Sequence, residues 1–458
     1  MILFAKGREM VCDLGYSGAR SMTWRTYASV LHNTVVVDRQ DQSPSDKGFF
    51  REGMWVETKP SNYEEGARNA EHFGNLILYE PNHDRVQVVE AEGQDFYRHR
   101  GVKIYRRLLA AIALSERDFY VVDIFRVRGG EFHDWALHGD ADHEQSAVSN
   151  LALQPHRGTL FEFDKTRGEE DDKPYQDISE IRVCRTNEPW WVDFRYLDDS
   201  RIGLRTTMSG NSGTEVVLGR AFSMRRAREN DAEAEKYTMP IVLARRRGKD
   251  LSSTFAAVHE PYRGWPVIDV LQRLEFHPGG EFAVALAVRI GDRIDYVLST
   301  NDEPPYPLRQ VWGSKRIMFR GRFGIVSTHK GKLAWMHLLD GTELSYGDHV
   351  LKAPSRWEGD ITAVTESGFE TNVRLPTDDS LRRATLLLIH GDGSTQGYEI
   401  DRVQATDDRT TVVVKGPTGL SFDGERTRIL FFPLREIGGK NRFVITTSTC
   451  QESWPSRS

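Results

Sequence analysis

The sequence predicts an all-β protein: a large antiparallel β-sandwich followed by a smaller β domain. Short runs of β-branched and aromatic residues recur almost from end to end, among them Val86-Gln87-Val88-Val89, Phe119-Tyr120-Val121-Val122-Asp123-Ile124, Thr411-Val412-Val413-Val414 and Arg428-Ile429-Leu430-Phe431-Phe432. Turn-forming residues separate them, and helical periodicity is scarce. Regular short strands without intervening helices pack best as stacked antiparallel sheets.

The first element with chemical content is Val30-Leu31-His32-Asn33-Thr34-Val35-Val36-Val37. Thr34 to Val37 is a strong strand signal, ended by the turn-prone Asp38 to Ser45, so His32 and Asn33 fall at a strand edge. Upstream, Asp13 ends the apolar run Glu9-Met10-Val11-Cys12. Two windows are compatible with helix: Met224 to Lys236, rich in Arg, Ala and Glu, and Tyr105 to Leu114, which reads equally well as a buried strand. His143 to Glu188, with the acidic run Glu169-Glu170-Asp171-Asp172, reads as a long surface insertion or hairpin tip. Asn301 to Pro305 is a turn, and Gly341 to Trp357 is polar and rich in breakers, which places a boundary near residue 340. The expected domains are therefore 1–340, the sandwich, and 341–458, the smaller β domain with a frayed polar tail.

A chain of 458 residues is long enough for two or three domains and needs no covalent staples. Its net charge of -6, with both signs interspersed, excludes a global basic field of the kind that binds nucleic acid. The clusters Arg225-Arg226-Arg228 and Arg245-Arg246-Arg247 could hold anions, but a solvated strand edge or loop is the simpler reading. Cys12, Cys184 and Cys450 are too few and too far apart for a disulfide framework or a thiolate metal site. No run of about 18 apolar residues is present, and Met1 to Glu9 lacks the apolar stretch and cleavage site of a signal peptide.

Asp13 and His32 on neighbouring strands would supply half of a tetrahedral zinc site. Taken by themselves, a capping aspartate and a hydrogen-bonded histidine explain them as well. Tyr16, Arg25 and Tyr27 lie between the two, and with Asn33 they are candidates to touch a sugar ring or its carboxylate, against the alternative of ordinary loop packing. His99, His133, His138, His259 and His390 are expected to be structural. Trp190-Trp191 and Trp265 could stack on sugars, although core or edge packing is the stronger expectation. Gly129-Gly130 and Gly438-Gly439 are turns, and no phosphate-cradling loop pattern occurs.

Residues Ile2 to Gln42 resemble the start of the β-sandwich part of heparinase II/III-like polysaccharide lyases. The resemblance rests on Lys6-Gly7-Arg8-Glu9, Val11-Cys12-Asp13-Leu14-Gly15-Tyr16 and the fairly specific His32-Asn33-Thr34-Val35 element. Tyr105-Arg106-Arg107-Leu108-Leu109, Asp118 to Asp123 and Phe132-His133-Asp134-Trp135-Ala136-Leu137-His138-Gly139 agree with it, and similarity extends plausibly through Thr254 to Tyr262. The resemblance implies an enzyme that joins a helical toroid to a sandwich, with the substrate cleft between them, and cleaves uronate-containing polysaccharides by β-elimination. It also implies that Asp13 and His32 are two protein ligands of a structural zinc. The third would come from a His-x-His-x-Asp element expected just upstream of the first strand.

That element and the toroid are not in this sequence, which opens at Met1-Ile2-Leu3-Phe4 within the first strand. The expectation is thus the C-terminal portion of a lyase, inactive without its toroid, with the acid and base elsewhere. The resemblance makes an acidic polysaccharide the partner and a periplasmic or extracellular location the setting. Alternatives are a noncatalytic carbohydrate-binding or scaffold module, or a subunit completed in trans by a separate toroid. Exposed sheet edges also allow a homodimer.

Overall fold

A computed structural model describes residues 1–14, 28–42, 48–51, 54–57, 74–161, 175–227, 230–233, 235–312, 317–354, 356–406, 408–431 and 434–453. Nearly every regular element among them is a β-strand, and all described strand pairs in the ladders are antiparallel. The all-β reading therefore holds.

The strands up to residue 263 are, in chain order, β1 (Leu3–Ala5), β2 (Arg8–Val11), β3 (Val35–Val37), β4 (Gly48–Arg51), β5 (Met54–Glu57), β6 (Asn75–Glu80), β7 (Val86–Glu92), β8 (Ile104–Ala113), β9 (Phe119–Arg128), β10 (Phe132–His138), β11 (Gln145–Ser149), β12 (Gln154–Pro155), β13 (Ser179–Thr186), β14 (Trp190–Tyr196), β15 (Ile202–Met208), β16 (Thr214–Phe222), β17 (Thr238–Arg247) and β18 (Ser252–Arg263). The chain divides into two compact units, one made of Met1–Lys59 with Gly93–Pro266, the other of Pro60–Glu92 with Val267–Ser458.

Unit 1 is a β-sandwich. One sheet runs β12-β13-β16-β17-β10-β3, and the other holds β11-β14-β15-β18-β9-β8 as neighbours. Period-two alternation sends Val35, Val37, Trp135, Leu137, Val242 and Ala244 of the first sheet into one core with Phe125, Val127, Phe194, Leu204 and Phe255 of the second. The first sheet is also covered on its other face, where Val36, Ala136, Ile241 and Leu243 pack with Cys12, Leu14, Val30 and Leu31. Burial on both faces explains why β3 reads Val-Val-Val without alternation, and all three side chains are buried.

Several expectations change here. Tyr105 to Leu114 is strand β8, and of the Met224 to Lys236 window only Met224–Ala227 is α-helical, with a 3-10 turn at Asp231–Glu233. His143 to Glu188 is not a surface excursion: it supplies β11, β12 and β13 to the two sheets, while its acidic run lies outside the described residues. Arg245 and Arg246 are buried rather than solvated, because central strand β17 has covered faces on both sides. Arg245 pairs with Asp134 at 2.8 Å, and Arg246 donates to the Thr254 carbonyl at 3.0 Å.

In unit 2 the longest hairpin joins Ile317–His329 to Lys332–Tyr346. Lys330 and Gly331, both at positive φ, make the tight turn between them. Residue 340, the expected boundary, lies inside the second of these strands, and Ser448–Glu452 returns to pair with it. A cut there would sever continuous ladders, so the division instead falls at 266/267. Glycines occupy the ladder where Gly321 meets Gly341, since a Cβ on Gly321 would stand 2.7 Å from the Gly341 Cα. A separate core formed by Ile361, Phe369, Leu388, Ile400, Phe443 and Ile445 lies in the sheet that runs from Trp357–Asp360 to Ala363–Thr365.

Candidate metal and glycan site

Asp13 leaves β2, and His32 ends the 3-10 turn Ser29–Leu31 that leads into β3. His32 takes an extended conformation (φ -108°, ψ 162°), which turns the chain out of the 3-10 turn and toward the strand. Its ring Nδ1 lies 3.1 Å from Asp13 Oδ2, and both side chains keep solvent access. The two residues singled out from nineteen positions apart thus meet directly at the edge of the first sheet.

Their spacing suits a shared cation. Two donors about 2.0–2.1 Å from a tetrahedral zinc stand roughly 3.3 Å apart, close to the separation found. Among the described residues, no group of three or more His, Cys, Asp or Glu side chains is arranged to hold a metal. The pair fits half of a zinc site, and a third ligand is not among the residues described.

Arg225 holds the Asp13 side of the pair in place. Its Nη1 donates to the Asp13 carbonyl at 3.0 Å, while Nη2 reaches Glu9 at 3.1 Å and Asp142 at 2.5 Å. Sequence reading noticed Arg225 only as part of a basic cluster. Its link to Asp13 spans 212 positions, and no local pattern carries that information.

Asn33 holds the other side, and it corrects an expectation. Proposed from sequence to face substrate, it is buried, at 5% exposure, with its amide engaged inside the protein. Its Nδ2 donates to the Cys12 carbonyl at 2.8 Å and its Oδ1 accepts the His138 backbone N–H at 3.0 Å. The physical reason is the double-sided burial of this sheet, which leaves the start of β3 no solvent face. Tyr16, Arg25 and Tyr27, the other substrate-facing candidates, lie outside the described residues.

His138 is fully buried beside Asn33. Its Nδ1 lies 2.8 Å from the Gly139 carbonyl and its Nε2 3.3 Å from Asn33 Nδ2. A carbonyl can only accept and an amide nitrogen can only donate, so His138 is the neutral Nδ1–H tautomer. Burial draws its pKa down to about 4 against the opposing hydrogen bond to Gly139. Cys12 is equally inert, its thiol pushed up to about 12 by burial.

Beneath Asn33 runs a charged layer. Arg107 donates to the Asn33 carbonyl at 2.5 Å and grips Asp123 through Nε at 2.8 Å and Nη2 at 2.7 Å. His259 joins Asp123 at 3.3 Å and Thr206 at 2.9 Å, with Trp135 stacked on its ring. Burial works to raise the Asp123 pKa, but Arg107 and His259 overrule it and hold the carboxyl well below the usual range. Tyr105 donates from its hydroxyl to the Val35 carbonyl at 2.6 Å, tying β8 to β3. His133 and His390 are buried with hydrogen-bond partners of their own, while the His99 side chain lies outside what is described. Of these groups, Arg107 bears on the turn that carries His32, through the Asn33 carbonyl.

Among the described residues no helix is long and apolar enough to cross a membrane. The chain is similar in fold region to the heparan sulfate lyase HepC from Pedobacter heparinus, at 15% identity and a TM-score of 0.40, over 66% of this chain and 36% of that one. It is also similar to Heparinase III, at 12% identity and a TM-score of 0.35, over 63% of this chain and 33% of that one. The chain thus spans about a third of the length of these solved structures. No curated protein matches it in sequence. The family model described as "Heparinase II/III-like, C-terminal" matches residues 1–192, the stretch that holds the Asp13–His32 pair, Asn33, Arg107 and His138. Over those residues the chain is similar to the C-terminal β domain of heparinase II/III-like proteins.

Proposed function

We propose that unit 1 is the β half of a lyase that cleaves uronate-containing polysaccharides by β-elimination, and that Asp13 and His32 hold a structural zinc in the wall of its substrate cleft. One observation carries the reading: Asp13 and His32 keep solvent access and stand 3.1 Å apart, spaced as neighbouring metal ligands. The match of residues 1–192 to the lyase family supports it.

β-Elimination requires that the uronate carboxylate be neutralised so that the proton on C5 becomes acidic. A base then takes that proton, and an acid protonates the departing glycosidic oxygen. Bound zinc would supply a fixed positive charge that stiffens this wall. Asp13 and His32 act as ligands, Arg225 fixes the Asp13 backbone, and Asn33 anchors the turn that carries His32. Neither His138 nor His259 is placed to exchange a proton with substrate, because both are wholly buried. The acid and base belong to another part of the enzyme, which in this family is the helical toroid. Such lyases are secreted or periplasmic bacterial proteins, and the same location is proposed for this one.

The test is ultraviolet absorbance from unsaturated uronate when the protein, alone and mixed with a helical toroid domain of a heparinase II/III-like lyase, meets alginate, pectate or heparan sulfate. Product from at least one polymer, reduced in Asp13→Ala and His32→Ala, is the expected result. Absence of product with all three overturns the reading.

A further inference from the structure

The second sheet of unit 1 carries a group of residues that the Asp13–His32 site does not use. Strand alternation separates Trp190 from Trp191: Trp190 is buried in the sandwich core, while Trp191 points to the opposite face with Asp193 and Arg195. Arg205 lies opposite Asp193 in the β14–β15 ladder, and Tyr262 lies opposite Gly203 in the β15–β18 ladder.

Asp193 is the hub of this face. Its Oδ2 accepts from Arg195 Nη2 and from Arg205 Nη2, each at 2.9 Å, and its Oδ1 accepts from the Tyr262 hydroxyl at 2.6 Å. Tyr262 reaches it by lying across Gly203, where a Cβ would stand 2.3 Å from the phenol oxygen. One fully buried carboxylate therefore locks two guanidinium groups side by side, and each retains N–H donors beyond those used on Asp193.

A tryptophan flanks each guanidinium. Arg205 sits over Trp191 at 4.3 Å from the ring centre, and Arg195 stands 5.8 Å from the ring centre of Trp265. Trp265 is 76% exposed, the most solvent-accessible large apolar side chain among the described residues. An exposed indole beside a fixed cation offers a flat apolar surface for the C–H face of a pyranose, and the guanidinium takes its acidic substituent. Trp191 and Arg195 lie four residues apart on one strand, a span of about 13 Å, which suits a run of sugars rather than one.

Local charge agrees. Arg201 and Arg263 share Asp199 at the same end of these strands, both with substantial exposure. Four arginines thus share this end with Asp193, Asp199 and the buried Glu260, a surplus of one positive charge, and Asp198 in the same turn is paired with Arg8.

We propose that Trp191, Arg195, Arg205 and Trp265 form a second glycan-binding surface, selective for oligosaccharides bearing carboxylate or sulfate groups and separate from the Asp13–His32 site. It does not depend on lyase activity. Its role would be to hold an acidic polymer to the β domain away from the place where it is cut.

The test is calorimetric titration of the protein with a heparin-derived hexasaccharide, and with cellohexaose as the neutral control. Trp265→Ala and Arg195→Gln should each weaken the acidic ligand about tenfold or more, and the wild-type protein should bind cellohexaose at least about tenfold more weakly. No binding by the wild-type protein, wild-type affinity in both Trp265→Ala and Arg195→Gln, or equal affinity for cellohexaose overturns the proposal. If Arg195→Gln fails to fold, Trp265→Ala decides alone, because its side chain is mostly in solvent. Loss of binding in Asp13→Ala but not in Trp265→Ala would place the glycan at the first site, which overturns this proposal and leaves the lyase reading standing.

Discussion

Asn33 and His138 clamp the edge of the sandwich to the end of β10: the Asn33 Oδ1 accepts the His138 backbone N–H at 3.0 Å, while Asn33 Nδ2 faces the His138 ring nitrogen at 3.3 Å. The same amide ties in the Cys12 carbonyl, so one side chain joins three segments of chain. Asn33→Ala leaves a buried carbonyl and a buried N–H without partners. Each such group costs about 1–3 kcal/mol, so urea unfolding should show a loss of roughly 2–4 kcal/mol. His32→Ala, at a partly exposed position one residue away, should cost less than about 1 kcal/mol. Equal effects from the two would refute the clamp.

His133 and His138 should make stability depend on pH well above the carboxylate range. Burial lowers both from the ordinary 6.5 to about 4. Below pH 6.5 the unfolded chain takes up protons that the folded histidines refuse, so stability is complete above that pH and falls as pH drops from 6.5 to about 4. The loss is of the order of 3 kcal/mol per histidine. Chemical denaturation at stepped pH measures it, and His133→Gln should flatten part of the slope. An unchanged slope in that variant would exclude the assignment.

Asp123 governs a separate, more acidic limb. Its folded pKa lies below the unfolded value, so the stability it contributes is present above about pH 4 and is lost as pH falls through the folded pKa. Asp123→Asn leaves Arg107 without its carboxylate and should destabilise the protein at neutral pH by about 3–5 kcal/mol. Its acid limb should also be shallower than that of the wild type. Denaturation curves at pH 7 and pH 3 for both proteins decide the point.

What could be read from sequence depended on how far the informative contact reached. Val35–Val37 was legible as a strand because three β-branched residues lack any helical alternative, and the neighbouring Asp13 and His32 were legible as a pair because β2 and the turn before β3 converge. The direction of Asn33 was not legible. A strand buried on both faces carries no alternation from which to tell inward from outward, and its partner His138 lies 105 positions away. The contact of Arg225 with Asp13 was not legible either, because the two lie 212 positions apart. The boundary near 340 misled because breakers after Gly341 mark the end of a long hairpin, whereas the chain closes the unit only when Ser448–Glu452 returns. For Trp265 core or edge packing was the stronger expectation over sugar stacking, because composition does not distinguish a ring in a strand from one just beyond its end.

A zinc titration tests the two proposed ligands apart from the residue that positions them. Asp13→Ala and His32→Ala each remove a direct donor, and zinc affinity measured by competition with a chromogenic chelator should fall by at least about a hundredfold. Arg225→Ala removes no donor; it frees the Asp13 carbonyl and unties Glu9 and Asp142. Supporting residues of this kind are worth about 10–100-fold in metal affinity, so its effect should be smaller than that of either ligand variant. Arg225→Lys keeps the charge but cannot bridge three acceptors with a planar fork, and it should resemble Arg225→Ala more than the wild type. Protein that binds no more zinc than Asp13→Ala would refute the site, and an Arg225→Ala variant with wild-type affinity would confine the role of that arginine to packing.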